Sequence, residues 1–191
     1  PSYLDFGQTV VGETDTLNLT ISNIGTDTVR IAPLDFSDST FYSIYSDSIF
    51  VSGDTSIIVP VVFLPAEETS YSGTLTISSN SETNPIQTVS LSGSGYIPYS
   101  ELSLSPESVD FNVVYIGESS DTSITLSSTG QLDVNIDSIV VYGDGFTTDS
   151  TFSAFTLSAG SSINFNIEFV PLESMNYQGE VIIYSDADYT D

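Results

Sequence analysis

Residues 162–169, SINFNIEF, alternate polar and apolar side chains without interruption. Successive side chains of a β-strand point to opposite faces, so this spacing of two predicts a strand with one buried and one solvated face. Residues 16–22, TLNLTIS, repeat the pattern. Antiparallel sheets packed face to face produce such alternation, whereas strands of a parallel sheet, buried on both faces, are continuously apolar. No stretch of a dozen residues carries a helical apolar stripe, so the sequence predicts an all-β fold built from β-sandwiches.

The chain contains two copies of one sequence pattern. Val11-Gly12-Glu13 matches Ile116-Gly117-Glu118 at an offset of 105, and Phe63-Leu64-Pro65 matches Phe169-Val170-Pro171 at an offset of 106. Each copy has about the length of a seven-stranded immunoglobulin-like sandwich, roughly 100 residues. We therefore predict two tandem domains, residues 1–97 and 98–191, joined through a Gly- and Pro-containing linker at residues 93–100.

The two copies differ in the strands they contain. Residues 101–105, ELSLS, precede Pro106 in the second copy, whereas the first copy begins at the matching Pro1. Conversely, residues 87–92, QTVSLS, close the first copy, and the second stops at Asp191 before any such segment. We expect the second domain to lack its final strand and the polypeptide to continue at both ends. Closure by a strand from a neighbouring chain is the alternative.

The charge balance excludes several kinds of partner. The chain has 26 acidic residues, one cation (Arg30) and a net charge of −25. Such a surface repels nucleic acids and anionic lipids, whose binding depends on Lys and Arg. No apolar run approaches the roughly 20 residues that span a bilayer, so membrane insertion is not expected. Self-repulsion of this size is best tolerated in salt, which favours a secreted, extracellular or cell-surface location.

Composition also argues against catalysis. The chain has no His, Cys or Lys, which removes the imidazole base, the thiolate nucleophile and the Schiff-base lysine. Only carboxylate chemistry remains, and Glu168, Glu173 and Glu180 occupy positions that the strand pattern places in solvent. We predict that the protein is not an enzyme.

One acidic cluster has the composition of a calcium site. Asp186, Asp188 and Asp191 lie in residues 185–191, SDADYTD. Hard cations prefer several carboxylate and carbonyl oxygens, so these residues are candidate Ca²⁺ ligands; no other cofactor is expected. The cluster lacks the EF-hand spacing, and the alternative is that these residues are solvated turn formers.

Six triplets consist of Asp, then Ser or Thr, then an aliphatic residue or Thr, where composition alone gives about two. The pattern resembles the O-glycosylation sequon of secreted Bacteroidota proteins, and the alternative is that Asp and Ser/Thr recur at strand entries as turn formers. The candidate glycosylated residues are Thr16, Thr28, Ser39, Ser48, Ser138 and Ser150.

The motifs of the first copy resemble a known family. Those that carry the resemblance are Leu4-Asp5-Phe6-Gly7, Ile21-Ser22-Asn23-Ile24-Gly25, Val61-Val62-Phe63-Leu64-Pro65, Tyr71-Ser72-Gly73 and Leu91-Ser92-Gly93-Ser94-Gly95. They resemble Hydin-type, or ASH, immunoglobulin-like domains. The second copy departs from the first at several positions. Asn112 follows Phe111 where Gly7 follows Phe6, and Asp186 stands where the first copy has Asn80. The resemblance implies a seven-stranded sandwich used as a spacer or docking module, with no catalytic residues.

We therefore expect a structural spacer module of a bacterial surface protein, part of a stalk, filament or adhesin, with neighbouring repeats as its partners. The alternative is a module that binds protein or glycan through end loops, such as the Tyr-rich loop 42–45, or through an exposed sheet edge. Tyr71 and Tyr177 are candidates for a tyrosine-corner hydrogen bond, with plain core packing as the alternative.

Overall fold

The computed structural model describes residues 2–149 and 152–190, and within them every regular element is a β-strand. This confirms the predicted all-β fold. Residue contacts divide the chain into two compact units, Pro1–Ile97 and Pro98–Asp191, called here the first and second units. The described residues contain no helix that is long and apolar enough to cross a membrane.

The first unit contains nine strands, which form sheets in the orders β1-β9-β8-β4, β2-β7-β5 and β3-β6. They are β1 (Tyr3–Val10), β2 (Asp15–Asn23), β3 (Val29–Ile31), β4 (Asp35–Phe36), β5 (Phe41–Tyr42), β6 (Ile49–Val51), β7 (Thr55–Phe63), β8 (Ser70–Ser78) and β9 (Ile86–Tyr96). β9 lies between β1, to which it is parallel, and β8, to which it is antiparallel. Its inward side chains Val89 and Leu91 are buried in the core.

The second unit has sheets in the orders β13-β15-β11-β10-β17 and β14-β12-β16. Its strands are β10 (Glu101–Ser105), β11 (Ser120–Ser128), β12 (Val134–Tyr142), β13 (Phe146–Thr148), β14 (Phe155–Leu157), β15 (Ser162–Phe169), β16 (Glu180–Ser185) and β17 (Tyr189–Thr190). β15 is the alternating stretch that predicts the fold, and its apolar residues Phe165, Ile167 and Phe169 are buried as expected.

The predicted linker, residues 93–100, includes four residues that lie in a strand. Residues 93–96 belong to β9, which pairs with β8 as far as Ser94. A Cβ on Gly93 would lie 2.7 Å from Cε1 of Phe63, and one on Gly95 would lie 2.2 Å from the backbone oxygen of Glu67. These glycines therefore allow close packing inside a strand and do not mark a flexible linker.

The edge strands of the second unit differ from those of the first. β10 pairs with β11, the counterpart of β2, whereas β2 pairs only with β7 among the described strands. β17, which the sequence pattern did not predict, pairs in parallel with β10 at Glu101–Leu102. No strand described in residues 98–149 or 152–190 occupies the position that β9 has in the first unit.

Candidate functional site

Each unit contains the same cluster of four aromatic rings. In the first unit, Phe63 stacks on Phe41 with 4.9 Å between ring centroids and contacts Phe6 and Tyr71 at 5.5 and 5.6 Å. In the second unit, the rings equivalent to these pack at similar distances. Phe169 lies 4.6 Å from Phe146, 5.6 Å from Phe111 and 5.2 Å from Tyr177.

The tyrosine of each cluster anchors a backbone turn. The Tyr71 hydroxyl accepts hydrogen bonds from the N–H groups of Ala66 and Glu67 at 3.2 and 2.9 Å. The Tyr177 hydroxyl accepts from Leu172 and Glu173 at 3.1 and 2.9 Å. The predicted tyrosine-corner hydrogen bonds are therefore confirmed, and each ring also packs on its neighbouring Phe.

In the first unit, β9 covers this cluster. Gly93 lies against the ring of Phe63, which is fully buried, and Leu91 precedes it in the core. The backbone N–H of Val11 donates to the carbonyl of Tyr96 at 2.9 Å, which fastens the end of β9 to the end of β1.

In the second unit, the corresponding surface is an open groove of about 1100 Å³. Two segments form its sides, residues 110–116 and 173–178, and the rings of Phe146 and Phe169 lie at its base. Phe111 and Phe146 are half-buried, whereas their counterparts Phe6 and Phe41 are buried. Residues 108–115, the counterpart of β1, form no strand because no described strand lies beside them to pair with.

One side of the groove nevertheless has the local conformation of β1. Asn112 has a positive φ of 54°, and its counterpart Gly7 has one of 62°. Because this left-handed region is uncommon for residues other than glycine, it marks a specified bend. The carboxylate of Asp110 accepts the Asn112 N–H at 2.8 Å, as Asp5 does from Gly7 at 3.1 Å. The two copies therefore share the bend at this position.

The strand that follows the second side of the groove lies at a sheet edge. β16 pairs with β12 and is the last strand of its sheet among the described residues. Its counterpart β8 pairs on that side with β9. Val181 and Ile183 are half-buried, whereas their counterparts Leu75 and Ile77 are buried.

The predicted calcium ligands have other contacts. The carboxylate of Asp186 accepts the backbone and side-chain N–H of Asn135 at 2.7 and 2.8 Å. That of Asp188 accepts the backbone N–H and the hydroxyl of Ser100, both at 2.9 Å. These hydrogen bonds lower the pKa of both carboxyl groups. Asp191 lies outside the described residues. Among residues 2–149 and 152–190, no three acidic side chains form a group that could hold a metal ion.

Asp186 has the same structural contact as its counterpart in the first unit. There, the side-chain oxygen of Asn80 accepts the backbone N–H of Arg30 at 2.8 Å. The repeat alignment pairs Asn80 with Asp186 and Arg30 with Asn135, so this role can be traced from the sequence. A calcium site in this segment remains a prediction.

The candidate glycosylated residues differ in exposure. Thr16, Thr28 and Ser39 are exposed, whereas Ser48 and Ser138 are half-buried; Ser150 lies outside the described residues. Asp38, which precedes Ser39, accepts the N–H of Thr40 at 2.8 Å, and this backbone hydrogen bond lowers its pKa. Asp38 is thus a turn former, whatever modification Ser39 carries.

The Tyr-rich loop 42–45 has mixed exposure. Ile44 is 73% exposed, whereas Tyr45 packs partly against the core of the first unit. The hydroxyl of Ser43 donates to the carbonyl of Pro60 at 2.7 Å. This loop therefore offers a small apolar surface at Ile44.

Comparison with known proteins identifies the first unit. Residues 1–86 match the ASH family model, described as abnormal spindle-like microcephaly-associated, ASPM-SPD-2-Hydin. The first unit is therefore similar to ASH domains over residues 1–86. The second unit repeats the aromatic cluster and the tyrosine corner of the first, although the family match does not extend to it. No match was found among curated protein sequences.

Solved structures show a distant likeness to this chain. The ASH, or PapD-like, domain 7 of human CEP192 is 20% identical over 50% of this chain and 82% of that one, with a TM-score of 0.43. A protein of unknown function from Porphyromonas gingivalis W83 is 13% identical over 95% of this chain and 90% of its own, with a TM-score of 0.44. The YadV chaperone is 8% identical over 98% and 91%, with a TM-score of 0.38.

Proposed function

We propose that this protein is a structural spacer module of an extracellular or cell-surface bacterial protein and has no catalysis of its own. The observation that supports this most is the repetition of one core. Both units carry the same four-ring cluster and the same tyrosine corner. A core that is repeated without a repeated catalytic or binding site is typical of modules that span distance. The partners of such a module are the neighbouring repeats.

The charge of the chain supports an exterior location. At a net charge of −25, mutual repulsion of carboxylates opposes folding, and salt screens it. The Debye length falls from about 10 Å at 0.1 M salt to about 3 Å at 1 M. We expect the melting temperature to rise between these salt concentrations.

The location is tested on intact cells of the source organism. Antibody against the chain should label unpermeabilised cells or the culture medium, and added proteinase K should remove the cell-associated signal. A cytoplasmic protein serves as the control for lysis. Labelling that requires permeabilisation would refute the surface location.

Glycosylation is part of the same proposal. We expect protein from its native host to carry O-linked glycan on the three exposed candidates, Thr16, Thr28 and Ser39. The half-buried Ser48 hydroxyl, which accepts a hydrogen bond from Arg30 at 3.1 Å, is a poorer acceptor site. An intact mass equal to that of the bare polypeptide would remove this part of the proposal.

A second candidate function is recognition of another polypeptide through an exposed sheet edge. The open groove of the second unit favours it, because unpaired backbone groups and half-buried apolar side chains suit strand addition. A protein or glycan ligand at the end loops has less support, since loop 42–45 exposes only a small apolar surface at Ile44 and packs Tyr45 partly against the core.

A further inference from the structure

The outward face of the sheet β14-β12-β16 carries two exposed tyrosines. Val141 and Ile183 pack against the core of the second unit, so the residues next to them along β12 and β16 point outward. Among these, Tyr142 and Tyr184 are 46% and 47% exposed. We call this surface the outward tyrosine face, and its members are Val140 and Tyr142 of β12 and Glu180, Ile182 and Tyr184 of β16.

The register of the two strands brings these side chains together. Val140 pairs with Ile182, and this apolar pair lies between the tyrosines along the strands. Glu180 pairs directly with Tyr142. The pKa of Tyr142 is raised, first by a hydrogen bond between its side chain and that of Tyr184, and further by the charges of Tyr184 and Glu180. Two rings, one carboxylate and an apolar pair therefore form one continuous surface.

The first unit has the same sheet without this surface. Its equivalent positions hold only small polar or acidic residues, which are Asp35, Ser37, Thr74, Thr76 and Ser78, in place of Val140, Tyr142, Glu180, Ile182 and Tyr184. Both units build their cores with the inward residues of these strands. The aromatic residues are therefore not needed for the fold, and an exposed aromatic surface that only one copy carries indicates a binding role for that copy.

The chemistry of the outward tyrosine face suits a cationic side chain. The faces of tyrosine rings attract cations, and arginine stacks on aromatic rings while its planar guanidinium donates to a carboxylate. Glu180 supplies that carboxylate beside Tyr142. The net charge of −25 also attracts basic partners and repels acidic ones.

A second copy of this chain does not meet these requirements well. Its one cation is Arg30, whose guanidinium already donates to the hydroxyl of Ser48 at 3.1 Å. Two chains that each carry a net charge of −25 also repel each other. Charge complementarity therefore favours a different protein with basic side chains.

We propose that the outward tyrosine face binds an arginine in a basic segment of another protein. The guanidinium lies on the rings of Tyr142 and Tyr184 and donates to the carboxylate of Glu180. Val140 and Ile182 contact the methylene groups of the same arginine. A further strand beside β16 would leave this face in place, because strands pair in the plane of their sheet. The proposal depends neither on the spacer function nor on recognition through a sheet edge.

The test is an NMR titration of the complete 191-residue protein with a synthetic peptide of four Gly-Arg repeats. Salt at about 0.3 M screens non-specific attraction to the other carboxylates. We expect saturable shifts at Tyr142, Ile182 and Tyr184. A second peptide carries citrulline, which has nearly the same shape but no charge, in place of each arginine. It should bind at least about tenfold more weakly.

Variants of the protein test the rings and the carboxylate separately. Tyr142→Ser combined with Tyr184→Ser introduces the residues that the first unit carries, and it should weaken binding roughly tenfold. Glu180→Gln should weaken binding about two- to fivefold and reduce its dependence on salt. Tyr3→Ser is the matched control, because it removes an exposed strand tyrosine of the first unit, and it should leave the affinity unchanged.

Several results would overturn the proposal. Equal affinity of the double variant and the parent protein, or of the citrulline and arginine peptides, would show that the rings do not bind a cation. Shifts spread over the acidic surface without preference for this face would show attraction by net charge only. Self-association of the parent protein that Arg30→Gln abolishes would make the occupant a second copy. None of these results bears on the surface-location test of the spacer function.

Discussion

Replacing Gly93 with Ala should destabilise the first unit through the ring of Phe63. The added Cβ would lie 2.7 Å from the nearest ring carbon, whereas carbon atoms in contact are about 3.5 to 4.0 Å apart. Phe63 is fully buried and held by Phe6, Phe41 and Tyr71, so its ring has no free space to enter. Either β9 or the ring cluster must therefore shift by about 1 Å.

The expected loss follows from two opposing contributions. Overpacking a well-packed core costs about 1 to 3 kcal/mol. Replacing Gly with Ala restricts the unfolded chain and returns about 0.4 to 1 kcal/mol. The middle of each range gives a net destabilisation of about 1.3 kcal/mol. At about 4 to 8 °C per kcal/mol for a domain of this size, the melting temperature falls by roughly 5 to 10 °C.

The assay is calorimetric melting of the whole chain, with hydrogen exchange in β8 and β9 to assign the transition to the first unit. Gly25→Ala is the matched control. Its Cβ would meet nothing closer than Asn23 Oδ1 at 3.4 Å, so its effect should stay within about 0.5 kcal/mol. If Gly93→Ala melts with the wild-type protein, the close packing of β9 on Phe63 is wrong.

Three further predictions follow from hydrogen bonds. Tyr71→Phe removes an acceptor of two backbone N–H groups and should cost about 1 to 2 kcal/mol in denaturant unfolding; an unchanged midpoint would refute the anchor. The lowered pKa of Asp188 stabilises the folded form above about pH 4, and this contribution disappears as the pH falls through the folded-state pKa. Asp188→Asn should therefore reduce the dependence of the second unit's free energy of unfolding on pH in acid. Trypsin should not cleave the native protein at Arg30 in β3, because the N–H of Arg30 donates to the side chain of Asn80 and its carbonyl accepts the N–H of Asn80. The denatured protein should give two fragments. Rapid cleavage of the native protein would mean that β3 opens.

The elements that the sequence predicted are those that depend on local patterns. Alternation of polar and apolar residues identified β15 and β2, because each strand has one face on a core. The tyrosine corners were predicted because the repeat places a Tyr at the start of the same strand pattern in both copies, at Tyr71 and Tyr177. These features require only the spacing of neighbouring residues.

The elements that the sequence missed depend on residues far apart in the chain. Gly93 and Gly95 have the composition of a linker, and only their distance from Phe63 and Glu67 shows that they pack inside a strand. Similarly, Asp186 and Asp188 form an acidic cluster along the chain, but their carboxylates bond to separate segments, at Asn135 in β12 and at Ser100, which directly precedes β10.

The two copies together show why a strand pattern does not suffice to form a strand. Residues 109–111, Val-Asp-Phe, match residues 4–6, Leu-Asp-Phe, and the bends at Asn112 and Gly7 have similar φ angles. Yet residues 4–6 lie in β1, and residues 109–111 lie in no strand. The difference is the partner, because β1 bonds to β9 along its length and the second unit has no described strand in that place. Strand propensity describes how well a segment fits a sheet that already exists, so the same residue pattern forms a strand only where a neighbouring strand lies beside it.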